Sequence, residues 1–450
     1  MTTGSATRRG SRLAIVCMAM LLALPPAAPA LAAAPEGVPP YAYGVARPVE
    51  AFDAGVATAW FGLFEARVRA ERLPPPVAAR IYGLAGVTLY ETLVPGMAGH
   101  RSLVGQLNDL DAVPPPGHAK LHWPSAANAA LADVARSLFA GRTPETLAAI
   151  DELEASIAHS LRRQATPSFR NRGVLRGRNV AAAIAAWAAT DGSANACTFT
   201  PPVGPGMWVP TLPAFAPPLL PCWGQVRPFA VDSGAACPPG PPPAYSEDPA
   251  SAFYAEGFEV WETGENLTAE QATIAGFWSD DPGLTSTPPG HWVAITSQLL
   301  GEDAAGLDLA AEAYARVGIA VHDAFIACWY TKYEYNLLRP ITYIQDVIDA
   351  DWLPERNTPP FAEYTSGHSV QSGAAATVLT DLFGERAFVD HTKAGLGFAP
   401  RPFASFDAAA EEAAASRLYG GIHFRSAIDL GVEQGRCLGD TILESVQFKQ

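Results

Sequence analysis

Three short segments near the C-terminal end hold residue types that could grip and process an oxyanion. "KYEYNLLRP" places Lys332 and Arg339 seven residues apart, two helical turns, so a helix running through both would project two cations from one face until Pro340 stopped it. "YTSGHSVQSG" reads as a helix start: Ser366 is an N-cap, Gly367 leaves backbone N–H groups open, and His368 falls in the first turn. "SRLYGGIHFRSAIDLG" sets Arg417 six residues before His423 with Gly420 and Gly421 between, which predicts a bend and a helix restarting near His423. Each segment has a plain reading as solvated cations, a capped helix or a surface turn. Taken together they supply three cations, hydroxyl and amide donors and two imidazoles, the parts of an oxyanion site with acid–base chemistry.

The order K-x6-R-P, S-G-H, S-R-x5-H resembles the signature of the superfamily that joins vanadium-dependent haloperoxidases with type 2 phosphatidic acid phosphatases. The resemblance covers about the last 120 residues and implies an all-α fold, two packed four-helix bundles in the soluble haloperoxidase members. It also implies roles: Lys332, Arg339 and Arg417, with Ser366 and the Gly367 N–H, would bind the oxygens of vanadate or phosphate. His423 would be the vanadium ligand in a haloperoxidase or the phosphorylated nucleophile in a phosphatase, with His368 as the opposing acid–base group. Trp329 and Phe361 stand where aromatics line the halide pocket of chloroperoxidase-like members.

Two departures from that signature matter. Thr365 replaces the usual proline before S-G-H, and Ala427 stands where many members carry an aspartate four residues after the second histidine. Asp429 falls on another helical face, so a partner orienting His423 must come from elsewhere. Asp280 or Asp281 is expected to pair with a site arginine, and His291 is a weaker supporting candidate. On this basis the chain is expected to be an exported haloperoxidase that uses vanadate, hydrogen peroxide and halide, with Lys332 as the polarising cation. The alternatives are a secreted acid phosphatase working on phosphate esters through phospho-His423, needing no cofactor, and a non-catalytic oxyanion binder. His322-Asp323 hints at a metal phosphohydrolase but lacks the rest of that pattern.

The elements that must position these residues are helical. Ala- and Leu-rich stretches with apolar residues at i, i+3, i+4 run through most of the 450 residues, and alternating patterns are scarce. An N-terminal helical half (33–190) and a C-terminal half carrying the site (251–450) flank a Pro- and aromatic-rich segment, 191–250, expected to be an ordered loop. Residues 1–32 read as a secretory signal: Arg8, Arg9 and Arg12 precede "LAIVCMAMLLAL", and Ala30-Leu31-Ala32 forms a cleavage site, a general export signal more than a twin-arginine one. No later run is long and apolar enough to span a bilayer. The formal charge of −15 argues against nucleic acid or anionic lipid as a partner and requires any anion site to be a local cluster of cations. Of the five cysteines beyond residue 32, Cys197, Cys222 and Cys237 could staple the Pro-rich segment, whereas Cys328 and Cys437 sit in apolar helical patterns and read as buried thiols or a pair.

Overall fold

A computed structural model describes residues 47–117 and 120–450; the export signal read in residues 1–32 lies outside them. Thirteen α-helices are formed among the described residues: α1 (Gly55–Ala70), α2 (Pro75–Leu93), α3 (Trp123–Leu138), α4 (Pro144–Ser160), α5 (Pro167–Ala188), α6 (Ala252–Glu265), α7 (Ala269–Phe277), α8 (Thr287–Glu302), α9 (Leu307–Tyr335), α10 (Pro340–Val347), α11 (Gly367–Phe383), α12 (Phe406–Tyr419) and α13 (Arg425–Ser445). A short antiparallel ribbon, β1 (Phe388–Asp390) with β2 (Arg401–Phe403), links α11 to α12. The fold is all-α, with α2, α3 and α5 packed in one group and α9, α11, α12 and α13 in another, joined along α2 and α9.

Glycine makes that junction close. A Cβ on Gly83 of α2 would stand 2.9 Å from the carbonyl oxygen of Gly318 on α9, and one on Gly318 would stand 2.8 Å from the Gly83 Cα. The two helices therefore touch backbone to backbone, which buries α9 over most of its 29 residues. The same device brings α13 onto α11, where a Cβ on Gly435 would lie 2.1 Å from the Val370 oxygen. These contacts carry the site, because α9, α11 and the α12–α13 bend hold its residues.

Two helices escape the periodicity reading. α6 follows the Pro-rich segment and contains Gly257 and Gly264, which weaken the helical signal. α10 begins at Pro340, where the sequence suggested a stop; with α9 already ended at Asn336 in the left-handed conformation (φ 48°), the proline serves as a first-turn residue. Arg339 is thus the N-cap of α10, on a different helix from Lys332. Segment 191–251 is tied down by a disulfide, Cys197–Cys222, and by hydrogen bonds from Trp329 and Tyr333 to the Leu219 carbonyl. A second disulfide joins Cys237 to Cys437 on α13, so Cys437 is not a free thiol, and among the described residues Cys328 alone is free and buried. No described helix is long and apolar enough to cross a membrane.

Candidate active site

Every signature residue comes from the end of a helix or from the backbone beside one. Lys332 lies in the last turn of α9, fully buried, and its ammonium donates to the carbonyls of Ala362 (3.1 Å), Glu363 (2.8 Å) and Thr365 (2.5 Å). Burial pushes it down to about 8. Arg339 donates Nε to the Phe361 carbonyl (2.8 Å) and Nη1 to the Ile422 carbonyl (2.8 Å), and Nη1 also reaches His423 Nε2 at 3.2 Å. Its Nη2 is buried and has no hydrogen-bond partner among the described residues.

Ser366 caps α11 as expected, with Oγ accepting from the Ser369 N–H, and its own N–H donates to the Ala427 carbonyl (2.9 Å). Gly367 and His368 open that helix. α12 ends at Tyr419, Gly421 turns through φ 72°, and α13 begins only at Arg425, which leaves His423 on the bend itself. Arg417 is fixed from the other side, with Nε donating to Ser416 Oγ (3.0 Å) and Nη2 to the Trp278 carbonyl (2.7 Å).

The residue that the sequence reading lacked is Glu363. Its Oε1 accepts from both His423 Nδ1 (2.7 Å) and the Phe424 N–H (2.8 Å), and the carboxyl is wholly buried. Arg339 can only donate to Nε2, so Nδ1 must carry the imidazole proton and Nε2 its lone pair. Burial, ahead of Arg339 and Lys332, drives His423 well below the usual histidine range, which keeps the ring neutral. The same burial lifts Glu363 to about 8 against the pull of Arg339 and Lys332. The carboxyl group expected at position 427 is therefore supplied from five residues before His368. Ala427 is fully buried and offers its carbonyl to Ser366 instead. Glu363 sits in plain view in "FAEYTSGH", but only its fold-dependent proximity to His423 marks it.

A cavity of about 170 Å³ opens onto this group, lined by the polar Gly367, His368, Arg417 and His423 segments and by the apolar Leu219, Phe325, Trp329, Pro360 and Phe361. Trp329 and Phe361 meet with ring centroids 4.9 Å apart, and the Lys332 ammonium lies 5.1 Å from the Phe361 ring. His368 is held well below its usual range by burial and then by Arg417, and its Nε2 is buried without a partner among the described residues.

Asp280 and Asp281 also line the cavity, but the expected arginine pairing is not what the geometry gives. Asp280 bonds to His291 Nδ1 (2.9 Å) and to Lys393, so its effect on Arg417 is through the field and not by contact. His291 Nε2 meets Asp390 at 2.8 Å, making a buried Asp280–His291–Asp390 chain with Lys393 at its end. Asp281 feels Arg417 electrostatically without an ion pair among the described residues. His322 packs on Phe229, with ring centroids 4.0 Å apart, and Asp323 accepts from the N–H groups of Phe229, Ala230 and Val231; both are core residues of the α9 junction.

Residues 312–449 match a family description, VCPO second helical-bundle domain. A crystal structure described as the first bacterial vanadium-dependent iodoperoxidase superposes with a TM-score of 0.83 at 36% identity, over 90% of this chain and 99% of that one. The chain belongs to the vanadium-dependent haloperoxidase superfamily. The vanadium chloroperoxidase of Curvularia inaequalis is 28% identical over 151 residues, a stretch that spans 28% of this chain and 23% of that relative. A bacterial vanadium-dependent chloroperoxidase in its holo form shares the fold, with a TM-score of 0.65 at 15% identity over 85% of this chain and 95% of that one.

Membership in the superfamily raises the question whether the residues present suit an oxyanion. A guanidinium nitrogen of Arg339 buried without an acceptor and the first-turn amides of α11 make a donor set that the oxygens of a tetrahedral oxyanion would satisfy, while the His423 Nε2 lone pair, now met by Arg339, suits a central metal atom. Lys332 fits less simply, since its three protons already have three carbonyl partners.

Proposed function

We propose that this chain is a vanadate-dependent haloperoxidase that oxidises halide with hydrogen peroxide. Its main support is the state of His423, a cavity-lining neutral imidazole locked by Glu363 at Nδ1, whose Nε2 lone pair is met in this structure by Arg339 Nη1 and is the atom a ligand histidine offers a metal. Vanadate would be held by His423 Nε2, by Arg339 and Arg417, by the Ser366 hydroxyl and by the Gly367 N–H. When bound, it would supply a Lewis-acidic centre that activates hydrogen peroxide toward halide. The chain's own residues do the rest. Glu363 fixes the tautomer and plane of His423, and the buried cations balance negative charge in the site. His368, neutral and partnerless at Nε2, is available to take up or return a proton at the cavity wall. Lys332 is the polarising cation and works through the field and by bracing the 362–365 backbone.

Phosphomonoester hydrolysis is a second reading that one observation favours: a carboxylate-oriented imidazole also suits a phosphorylated nucleophile, and Glu363 provides it. Assaying the purified protein with and without orthovanadate separates the two, because vanadate activates peroxide-dependent iodide or bromide oxidation and inhibits aryl phosphate hydrolysis. His423→Ala with both activities intact would sink the assignment. We also place the mature chain outside the cytoplasm; two disulfides support that, being uncommon in reducing compartments. Fractionation of the native producer tests it.

A further inference from the structure

We propose that Arg356 builds a second anion subsite on the solvent side of the cavity, one that captures a weakly hydrated halide such as bromide or iodide. This rests on the haloperoxidase reading above. Arg356 lies in the connection between α10 and α11, outside the signature segments, yet it lines the same cavity as His368, Arg417 and His423. Its side chain is 32% exposed, whereas Arg339, Arg417 and His423 are buried, which sets it between those groups and bulk water.

Its position is held from its backbone, since the Arg356 N–H donates to the Gly420 carbonyl at 3.0 Å on the bend that carries His423. The side chain runs between two glycines. A Cβ on Gly420 would come within 3.2 Å of its Cγ, and one on Gly276 at the end of α7 within 3.2 Å of its Nη2. Its guanidinium is nonetheless poorly satisfied. The hydrogen bond it makes among the described residues is a long one of 3.4 Å to Glu355, and its Nε is buried without a partner. A cation shaped into a cavity wall and left with open donors implies an anion that is not part of the protein.

The surroundings choose among anions. The chain carries −15 overall, so a halide approaching from solvent meets a repulsive field unless a local cation offsets it. One guanidinium, itself weakly hydrated, lining a cavity whose wall also includes Phe325, Trp329, Pro360 and Phe361 suits a polarisable monoanion that sheds water easily. A phosphate-like anion demands several converging donors, which the deeper group offers and Arg356 alone does not. Asp281, beside both Arg356 and Arg417, works against the subsite and tunes its strength.

The test uses the full-length protein loaded with orthovanadate, so that the deeper cations are engaged. Bromide-81 NMR line widths are titrated for the native protein, Arg356→Gln, Arg356→Lys and Asp281→Asn, alongside vanadate affinity by equilibrium dialysis. Saturable broadening is expected in the native protein, to disappear in Arg356→Gln, to persist in Arg356→Lys and to strengthen in Asp281→Asn. In steady-state assays, KM for bromide or iodide should rise roughly tenfold in Arg356→Gln, the scale of a lost steering charge, with kcat and vanadate affinity nearly unchanged. Equal broadening in the native protein and Arg356→Gln overturns the subsite. So does a matching loss of vanadate affinity, which would put Arg356 in the oxyanion cradle. If the loaded native protein oxidises no halide, the functional proposal fails, and the line widths alone decide the subsite.

Discussion

At the scale of single residues, the pairing of Glu363 with His423 is the contact on which most depends. Glu363→Gln keeps the shape of the side chain but can turn an amide N–H toward Nδ1, and Glu363→Ala leaves Nδ1 without an acceptor. Residues that orient a ligand histidine are typically worth about 10–100-fold in affinity or activity. Vanadate affinity measured by dialysis should fall by that order in Glu363→Ala, and less in Glu363→Gln. Unchanged affinity in both would show that Arg339 suffices to hold the ring. The cations, the capping serine and both histidines were legible in the sequence because their spacing is local and their chemistry is specific. Glu363 was not, since a glutamate before a helix start has many ordinary uses and its partner lies 60 residues away. Asp280 was misjudged for a related reason: its true partners, His291 and Lys393, reach it from a helix and a ribbon connection that sequence spacing does not link.

At the scale of elements, the buried Asp280–His291–Asp390 chain fastens α8 to the ribbon and to the cavity wall. Burial opposes charge on all three, but Lys393 and His291 outweigh it at Asp280 and hold that carboxyl well below its usual range. His291 likewise holds Asp390 down, and the two carboxylates raise His291 above 6.5 against burial and Lys393. The signs follow. A lowered carboxylate contributes stability above its unfolded value of 3.8 that is lost as pH falls. A raised histidine contributes stability that is full below 6.5 and is lost as pH rises through its folded value. His291→Phe should therefore cost most between those limits, about 3–5 kcal/mol for breaking a buried charge pair, with the gap to the native protein closing on the alkaline side. Thermal melts across pH 5–9 check this, and a gap that widens toward high pH would contradict it. Most helices were well read from periodicity; α6 eluded it through its glycines, and α10 because a proline that ends one helix and a proline that starts the next look alike until the left-handed Asn336 is seen. Where α13 rides on α11, Gly435→Ala should destabilise by about 1–3 kcal/mol through overpacking against the Val370 carbonyl. Its melting point is the readout, and an unaltered one would mean that the two helices can separate freely.

At the scale of the whole molecule, the Cys237–Cys437 disulfide closes 200 residues of sequence, from the Pro-rich segment to the last helix. In the chain-entropy view, closing so long a loop is worth about 5 kcal/mol. Cys437→Ser, or reduction under native conditions, should lower the melting temperature by several degrees and loosen 191–251 first, seen as faster proteolysis there. Uniform loss without local cleavage would mean the bond stabilises only the unfolded-state balance. The pairing lay beyond sequence reasoning, since Cys437 on an apolar helix looks like any buried thiol.

Residues 361–365 take on a further meaning from the hydrogen bonds they make. In five positions the chain gives Arg339 the Phe361 carbonyl, Lys332 three carbonyls and His423 a carboxylate. Deleting or inserting one residue between Phe361 and Ser366 would shift all three at once, so this stretch must be transplanted whole by anyone grafting the site onto another helical scaffold. Its length, more than any one of its side chains, is the inheritance that cannot be edited piecemeal.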